Sequence, residues 1–138
     1  MSLGNRIVLG LLGSPLHRLM SGSTDAVRYA GRRTGRITTT PTQYARLDDD
    51  GIVVLVGRPA TKQWWRNFRE ERDVEVLLER RWVAMRGIAR IGAEDPARTA
   101  PLLEAYLARF PKVARTLPAD RDERVRAAVL VECRPVKG

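Results

Sequence analysis

Short β-branched segments separated by tight-turn signals are the feature that most restricts how this sequence can fold. Strands are predicted over residues 25–30, 36–47, 52–56, 74–78, 82–91 and 127–133, which are rich in valine, isoleucine and threonine. The turn at residues 48–51 ends in Asp-Gly, a pair that tolerates the positive φ of a tight hairpin. Because strands joined by short turns pair antiparallel, the pattern argues against a parallel α/β sheet. It predicts a mainly β (α+β) fold, built as a small closed or split barrel.

Helical signals fall between some of these strands. One helix is predicted over residues 61–69, with Thr61 as its N-cap. A second opens at Asp95-Pro96, and its apolar stripe is formed by Leu103, Tyr106, Leu107 and Phe110. One more helical turn is expected within residues 119–127. These helices are expected to flank the barrel.

The chain is predicted to form one domain over residues 1–138, with a tail at 134–138. Residues 1–22 form an N-terminal helical segment in this interpretation, broken by two glycines and a proline. A helix that caps the barrel is the simpler reading. A lid over a ligand site, or a peripheral membrane contact through residues 3–20, is the alternative.

The scarcity of histidine and cysteine excludes several kinds of chemistry. Cys133 and His17 are the single representatives of their residue types. A disulfide framework, a metal site and hydrolytic catalysis are therefore not expected, and Cys133 is predicted to be a buried inert thiol. No apolar run approaches the ~18 residues of a membrane span. A cytoplasmic location is expected, with membrane association through the N-terminal segment as the alternative.

The charge balance predicts an anionic partner. The sequence contains 25 lysines and arginines and 16 aspartates and glutamates, which gives a formal net charge of +9. The sequence carries no helix-turn-helix, zinc-finger or RNP-like pattern, so nucleic-acid binding is not expected. A polyanionic small molecule and a membrane surface are the partner classes that remain.

Two segments carry candidate binding chemistry. In the first, Gly31-Arg32-Arg33-Thr34-Gly35-Arg36 is followed by Thr38-Thr39-Thr40-Pro41. Amides between closely spaced glycines can form an anion-binding concavity, and arginine supplies forked donors to phosphate or carboxylate. A solvated basic turn explains the same residues.

The second segment is Thr61-Lys62-Gln63-Trp64-Trp65-Arg66-Asn67-Phe68. A lysine in the first turn of a helix is a candidate phosphate contact. Trp64 and Phe68, four residues apart, are predicted to pack in the core. Trp65 is the tryptophan expected to line a pocket or stack on a ring.

Together these motifs resemble the deazaflavin-dependent nitroreductase family, which includes quinone reductases that use reduced coenzyme F-420. The resemblance covers residues 14–134 and rests on the order and spacing of Gly-Arg-Arg-Thr-Gly-Arg, Thr-Thr-Pro and Trp-Trp-Arg-Asn-Phe. It implies a six-stranded antiparallel split β-barrel with short flanking helices. It also implies that the cofactor lies in a groove of that barrel.

The resemblance assigns cofactor contacts to three groups of residues. The basic loop that meets the phosphate and acidic tail maps to Arg32, Arg33, Thr34 and Gly35, with Arg36 as an extra contact. The segment near the deazaflavin ring maps to Thr39, Thr40 and Pro41, and the tryptophan-rich helix contributes Lys62, Trp65 and Arg66. No side chain is assigned a catalytic role and no metal is implied, because the cofactor carries the hydride chemistry.

The implied activity is hydride transfer from the reduced deazaflavin to a quinone-like or nitroaromatic acceptor. An FMN-binding split-barrel oxidoreductase and a noncatalytic cofactor- or lipid-binding carrier are the alternatives. A homodimer is a further expectation, since split barrels often leave a sheet face to be covered.

Overall fold

The computed structural model describes residues 24–47 and 50–136, and for Thr24 and Asp25 it describes the backbone alone. The predicted N-terminal segment 1–22, His17, the first two residues of the 48–51 turn and residues 137–138 lie outside this part of the chain. Among the described residues no helix is long and apolar enough to cross a membrane.

Seven antiparallel strands form one sheet in the order β2-β1-β5-β6-β7-β4-β3. Their bounds are Thr24–Ala30 (β1), Ile37–Gln43 (β2), Ala45–Arg46 (β3), Ile52–Leu55 (β4), Arg72–Leu78 (β5), Arg81–Ile91 (β6) and Val129–Pro135 (β7). Each predicted strand is present, so the mainly antiparallel prediction is confirmed. β7 pairs with β6 as far as Pro135, so the predicted tail begins two residues too early.

The two strands at the edges of this sheet follow each other directly in the chain. β2 lies at one edge and β3 at the other, and only the buried Tyr44 separates Gln43 from Ala45. A flat sheet would place those edges far apart, because neighbouring strands are ~4.8 Å apart. The sheet must therefore curl until its edges approach. Among the described residues β2 pairs only with β1, and β3 covers only Ile52 and Val53 of β4. The barrel is therefore split between β2 and the remaining residues of β4.

The strand count differs from the expected six. The segment 36–47 was predicted as one strand, but Tyr44 divides it into β2 and β3. The two parts pair with different partners, β1 and β4, at opposite edges of the sheet. Propensity in a threonine-rich segment does not reveal a change of pairing partner, because both parts remain extended.

The inner face of the curled sheet encloses the main core. Alternate side chains of the strands point inward, and a short 3-10 helix, Trp64–Phe68, closes the interior with Trp65 and Phe68. Phe68 is fully buried and packs over Gly87 of β6. A Cβ atom at position 87 would lie 3.1 Å from the Phe68 ring, so the bare backbone of β6 makes room for it.

Two α-helices cover the outer face of the other half of the sheet. They are α1, Pro96–Arg109, and α2, Arg121–Ala127. Asp95 caps α1 by accepting a hydrogen bond from the Arg98 amide, and Asp120 caps α2 through the Glu123 amide. The second core cluster lies between these helices and strands β3, β4 and β7; its central members are Val53, Leu102, Leu103, Tyr106, Val125 and Leu130.

Gly92, directly after β6, lies against the backbone at the end of α2, so substituting it tests how closely α2 packs on the sheet. Its amide donates to the Ala128 carbonyl at 2.9 Å, and a Cβ atom there would meet the Val125 carbonyl oxygen at 1.6 Å. Since both neighbours are backbone atoms, Gly92→Ala is expected to destabilise the protein by about 3 kcal/mol or more in chemical denaturation. Gly57→Ala is the control, because no atom lies within 4 Å of its Cβ position. Equal stability of the two variants would contradict this packing.

Candidate ligand-binding groove

The split in the barrel is a groove. One part, a cavity of about 440 Å³, lies between β2 residues 40–43, residues 54–57 at the end of β4, and Lys62. A second part, of about 510 Å³, lies between residues 31–34, β2 and the Trp64–Phe68 helix. Thr40 and Trp64 line both parts, so the two cavities adjoin. The edge of β2 that pairs with no described strand thus forms one wall of an extended groove.

Positive charge lies at both ends of this groove. Arg32 and Arg33 line one part, and Arg58 and Lys62 line the other. Among the described lining residues of both parts there is no aspartate or glutamate. Arg58 also has φ of 50°, a left-handed conformation that is costly for a residue with a side chain. An elongated anionic molecule is the ligand that suits this charge pattern.

A larger cavity elsewhere has a different character. It measures about 610 Å³ and lies against β1, β5 and β6. Glu71, Asp73 and Glu75 line it, and they form ion pairs with Arg28 and Arg86. Because its charges neutralise one another, it lacks the uncompensated positive field of the groove.

The 31–35 loop is held by its own hydrogen bonds. Gly31 donates to the Arg36 carbonyl at 2.8 Å, Gly35 donates to the Gly31 carbonyl at 2.9 Å, and Arg36 donates to Thr34 Oγ1 at 3.2 Å. Gly35 has φ of 71°, where a side chain would be strained. In the described part of the chain, the amides of Arg33 and Thr34 have no acceptor. Two successive amides without a described acceptor, in a basic loop that lines a cavity, are suited to binding an oxyanion.

Trp65, which was predicted to line a pocket, is buried, whereas Trp64 packs against the core and the Phe68 ring as predicted and also lines the groove. Trp65 is 5% exposed and donates from Nε1 to the Pro59 carbonyl at 2.9 Å, whereas Trp64 is half-buried and lines both parts of the groove. The prediction assumed an α-helix, in which residues four apart share a face. In the observed 3-10 helix residues three apart share a face, so Trp65 and Phe68 point inward together.

Tyr29 lies at the inner end of the groove. Its ring is 5.2 Å from the Phe68 ring and 6.5 Å from the Trp64 ring, measured between centroids. Burial raises the pKa of the Tyr29 phenol, and this outweighs the opposite effects of a hydrogen bond with Thr40 and the charge of Arg72. The phenol therefore stays neutral at physiological pH and offers a hydroxyl rather than a charge.

The structure places about half of the residues predicted to contact the cofactor along the groove. Those that line the groove are Arg32, Arg33, Thr34, Thr40, Pro41 and Lys62. Gly35, Arg36, Thr39, Trp65 and Arg66 do not line it. Thr39 is buried on the other face of β2, since side chains alternate along a strand.

Arg66 lines a neighbouring cavity of about 590 Å³, which it shares with Arg32 and Asn67. Its guanidinium carbon is 5.5 Å from the centre of the Trp65 ring. Its buried Nε has no hydrogen-bond partner among the described residues. It therefore lies beside the groove and not in it.

Several residues that line the groove were not assigned as cofactor contacts from the sequence, and they include Tyr29, Thr38, Arg58, Trp64 and Asn67. Strict alternation along β2 identifies Thr38 as the neighbour of Thr40 on one face. No sequence signal identifies Asn67, whose contacts depend on the tertiary approach of the 31–35 loop.

One buried carboxylate lies away from the groove. Glu132 on β7 accepts hydrogen bonds from Arg90 at 2.9 Å and from Arg134 at 2.8 Å. Burial alone would raise the pKa of Glu132, but the hydrogen bonds and charges of these arginines hold it below the ordinary value. Among the described residues no group of three or more histidine, cysteine, aspartate or glutamate side chains could hold a metal ion.

The two tryptophans provide a test of this arrangement. Trp65→Ala removes a buried ring and is expected to destabilise the protein by about 3 kcal/mol or more in urea unfolding. Trp64→Ala removes a half-exposed ring, so a smaller loss, of about 1–2 kcal/mol, is expected. Equal losses, or a larger loss at Trp64, would show that the 3-10 geometry is wrong.

Comparison with solved structures shows the same kind of fold in distant proteins. HutZ, a heme storage protein from Vibrio cholerae, is 12% identical with a TM-score of 0.58, and 91% of each chain is covered. An FAD- and heme-binding protein from Mycobacterium smegmatis is 15% identical with a TM-score of 0.52, covering 87% of this chain and 65% of that one. At these identities the likeness concerns the fold.

A protein of unknown function from Agrobacterium tumefaciens, Atu2129, is 20% identical with a TM-score of 0.55. It covers 83% of this chain, which spans about half (48%) of that protein. No protein with a curated description matches this sequence significantly.

A sequence model of one family matches most of the chain. The family is described as F420H(2)-dependent quinone reductase, and the match runs over residues 12–125. It includes both motifs that border the groove, the 31–35 loop and the Trp64–Phe68 helix. The fold agrees with the split-barrel expectation, and the protein belongs to the F420H(2)-dependent quinone reductase family.

Proposed function

We propose that this protein is an oxidoreductase that binds reduced coenzyme F-420 in the groove and reduces a quinone-like or nitroaromatic acceptor. The observation that carries the proposal is the groove itself, with cations at both ends, Trp64 between them and no carboxylate among its described lining residues. The family match supports the same cofactor and a quinone acceptor.

The lining residues fit an anionic, ring-containing cofactor. Coenzyme F-420 carries a phosphodiester and a glutamate tail, both of which need cationic or amide donors. Arg32, Arg33 and the amides of Arg33 and Thr34 supply such donors at one end of the groove. Lys62 supplies a point charge in the adjoining part. These contacts would fix the charged part of the cofactor.

The middle of the groove suits the flat ring. Thr40, Pro41 and Trp64 line it there, and the indole of Trp64 offers an aromatic surface for stacking. When bound, the deazaflavin would supply the hydride. The chain would orient the ring, leave one side open to the acceptor and shield the other from water with the core beneath Trp64. None of these tasks requires a side-chain nucleophile.

FMN is the alternative cofactor, because its phosphate would use the same loop. The distant Mycobacterium smegmatis protein is described as binding FAD and heme. Four further expectations remain predictions. They are a carrier role without catalysis, a homodimer, a cytoplasmic location and a membrane contact through residues 3–20.

The cofactor proposal is tested by titrating the protein with F-420 and, separately, with FMN, following tryptophan fluorescence. F-420 is expected to bind with a micromolar or lower Kd. Arg33→Ala and Lys62→Ala are each expected to weaken it by about tenfold, since each removes a charged contact. Arg115→Ala and Lys112→Ala are the matched controls, because both side chains are exposed and lie outside the groove.

Binding of FMN alone would contradict the cofactor assignment, and binding of neither would contradict the function. With F-420 bound, oxidation of the reduced cofactor by quinones and by nitroaromatic compounds then identifies the acceptor class. Absence of oxidation by every member of both classes would favour the carrier alternative.

A further inference from the structure

Both polar atoms of the Asn67 side chain are used to join two separate segments. Asn67 Oδ1 accepts a hydrogen bond from the Arg32 amide at 2.9 Å, and Asn67 Nδ2 donates to the Trp64 carbonyl at 2.8 Å. Arg72 donates from Nη1 to the Asn67 carbonyl at 3.3 Å. Asn67 is thus the point at which the 31–35 loop is fastened to the Trp64–Phe68 helix.

This contact determines which loop amides remain for a ligand. The Arg32 amide is used by Asn67, and those of Gly31, Gly35 and Arg36 are used within the loop. The described residues offer no acceptor to the amides of Arg33 and Thr34, which border the groove. Without Asn67, the amide of Arg32 would lose the only hydrogen bond that joins it to a described residue outside the loop.

We propose that Asn67 is a positioning residue that holds the 31–35 loop in its anion-binding conformation before a ligand arrives. For the identity of the ligand this inference rests on the proposed function. Preorganisation of this kind increases affinity because the loop loses less conformational entropy on binding. The benefit applies to the part of the ligand that contacts the loop, which is its phosphate.

The primary amide of asparagine suits both contacts. Its carbonyl accepts from the Arg32 amide while its NH₂ group donates to the Trp64 carbonyl. Aspartate retains an acceptor toward Arg32 but places an oxygen against the Trp64 carbonyl. Alanine and leucine provide neither contact, and leucine keeps the branched four-atom skeleton of asparagine with two methyl groups in place of its polar atoms. These three substitutions separate hydrogen bonding from packing.

The first measurement needs no ligand. Amide hydrogen exchange at Arg32, followed by NMR, is expected to accelerate by about tenfold or more in Asn67→Ala and in Asn67→Leu, because its acceptor is removed. Asn67→Asp is expected to keep the amide protected. Gln63→Ala is the control, since Gln63 lines the same groove and its side chain has no described hydrogen bond. Unchanged exchange in Asn67→Ala and Asn67→Leu would overturn the proposal.

The second measurement separates positioning from a general structural effect. F-420 is compared with 5-deazariboflavin, which has the ring but no phosphate. Asn67→Ala is expected to weaken F-420 by about tenfold and to leave deazariboflavin affinity within about twofold. An equal loss for both ligands would indicate a purely structural role and would overturn the proposal.

The two measurements distinguish this inference from the proposed function. If wild-type protein binds no F-420, the proposed function fails, and the exchange of the Arg32 amide still decides whether Asn67 fixes the loop. If F-420 binds but Asn67→Ala and Asn67→Leu bind it as tightly as wild type does, the function stands and the positioning role is wrong.

Discussion

The single-residue connection at Tyr44 is the constraint on which the groove depends. It joins strands that lie at opposite edges of the sheet, so the sheet has to curl until those edges approach. β2 and β4 do not pair, so within the described residues one edge of β2 is left open to other contacts. Here the edge of β2 forms a wall of the groove, and its threonines line that wall with small polar side chains.

The short 3-10 helix, Trp64–Phe68, closes the curled sheet and supplies the opposite wall. Phe68 fits over Gly87, and Trp65 is held by its hydrogen bond to Pro59. With these two rings directed into the core, Trp64 is left at the groove. The core and the groove are therefore coupled, because the ring of Trp64 contacts Phe68 on one side and lines the groove on the other.

Much of this arrangement could be predicted from the sequence, and the failures share a physical cause. Alternation and turn chemistry identified the strands, because these are local signals, whereas the place of the basic loop beside a groove was implied only by the family resemblance. The division of residues 36–47 at Tyr44 was missed, because a change of pairing partner leaves the backbone extended. The contacts of Asn67 were not predictable, because they join segments that are distant along the chain. Trp65 lies in the core and not in the groove, because the chain forms a 3-10 helix where an α-helix was assumed.

The central claim is that an anionic ring-containing cofactor binds in the barrel split, with its phosphate at the 31–35 loop. Amide chemical-shift changes in ¹⁵N-labelled protein during titration with F-420 test this claim most directly. We expect the largest changes at Arg33 and Thr34, with further changes along β2 and at the Trp64 indole. Changes concentrated instead at residues 71–75 and 84–86, which border the larger cavity, would contradict it.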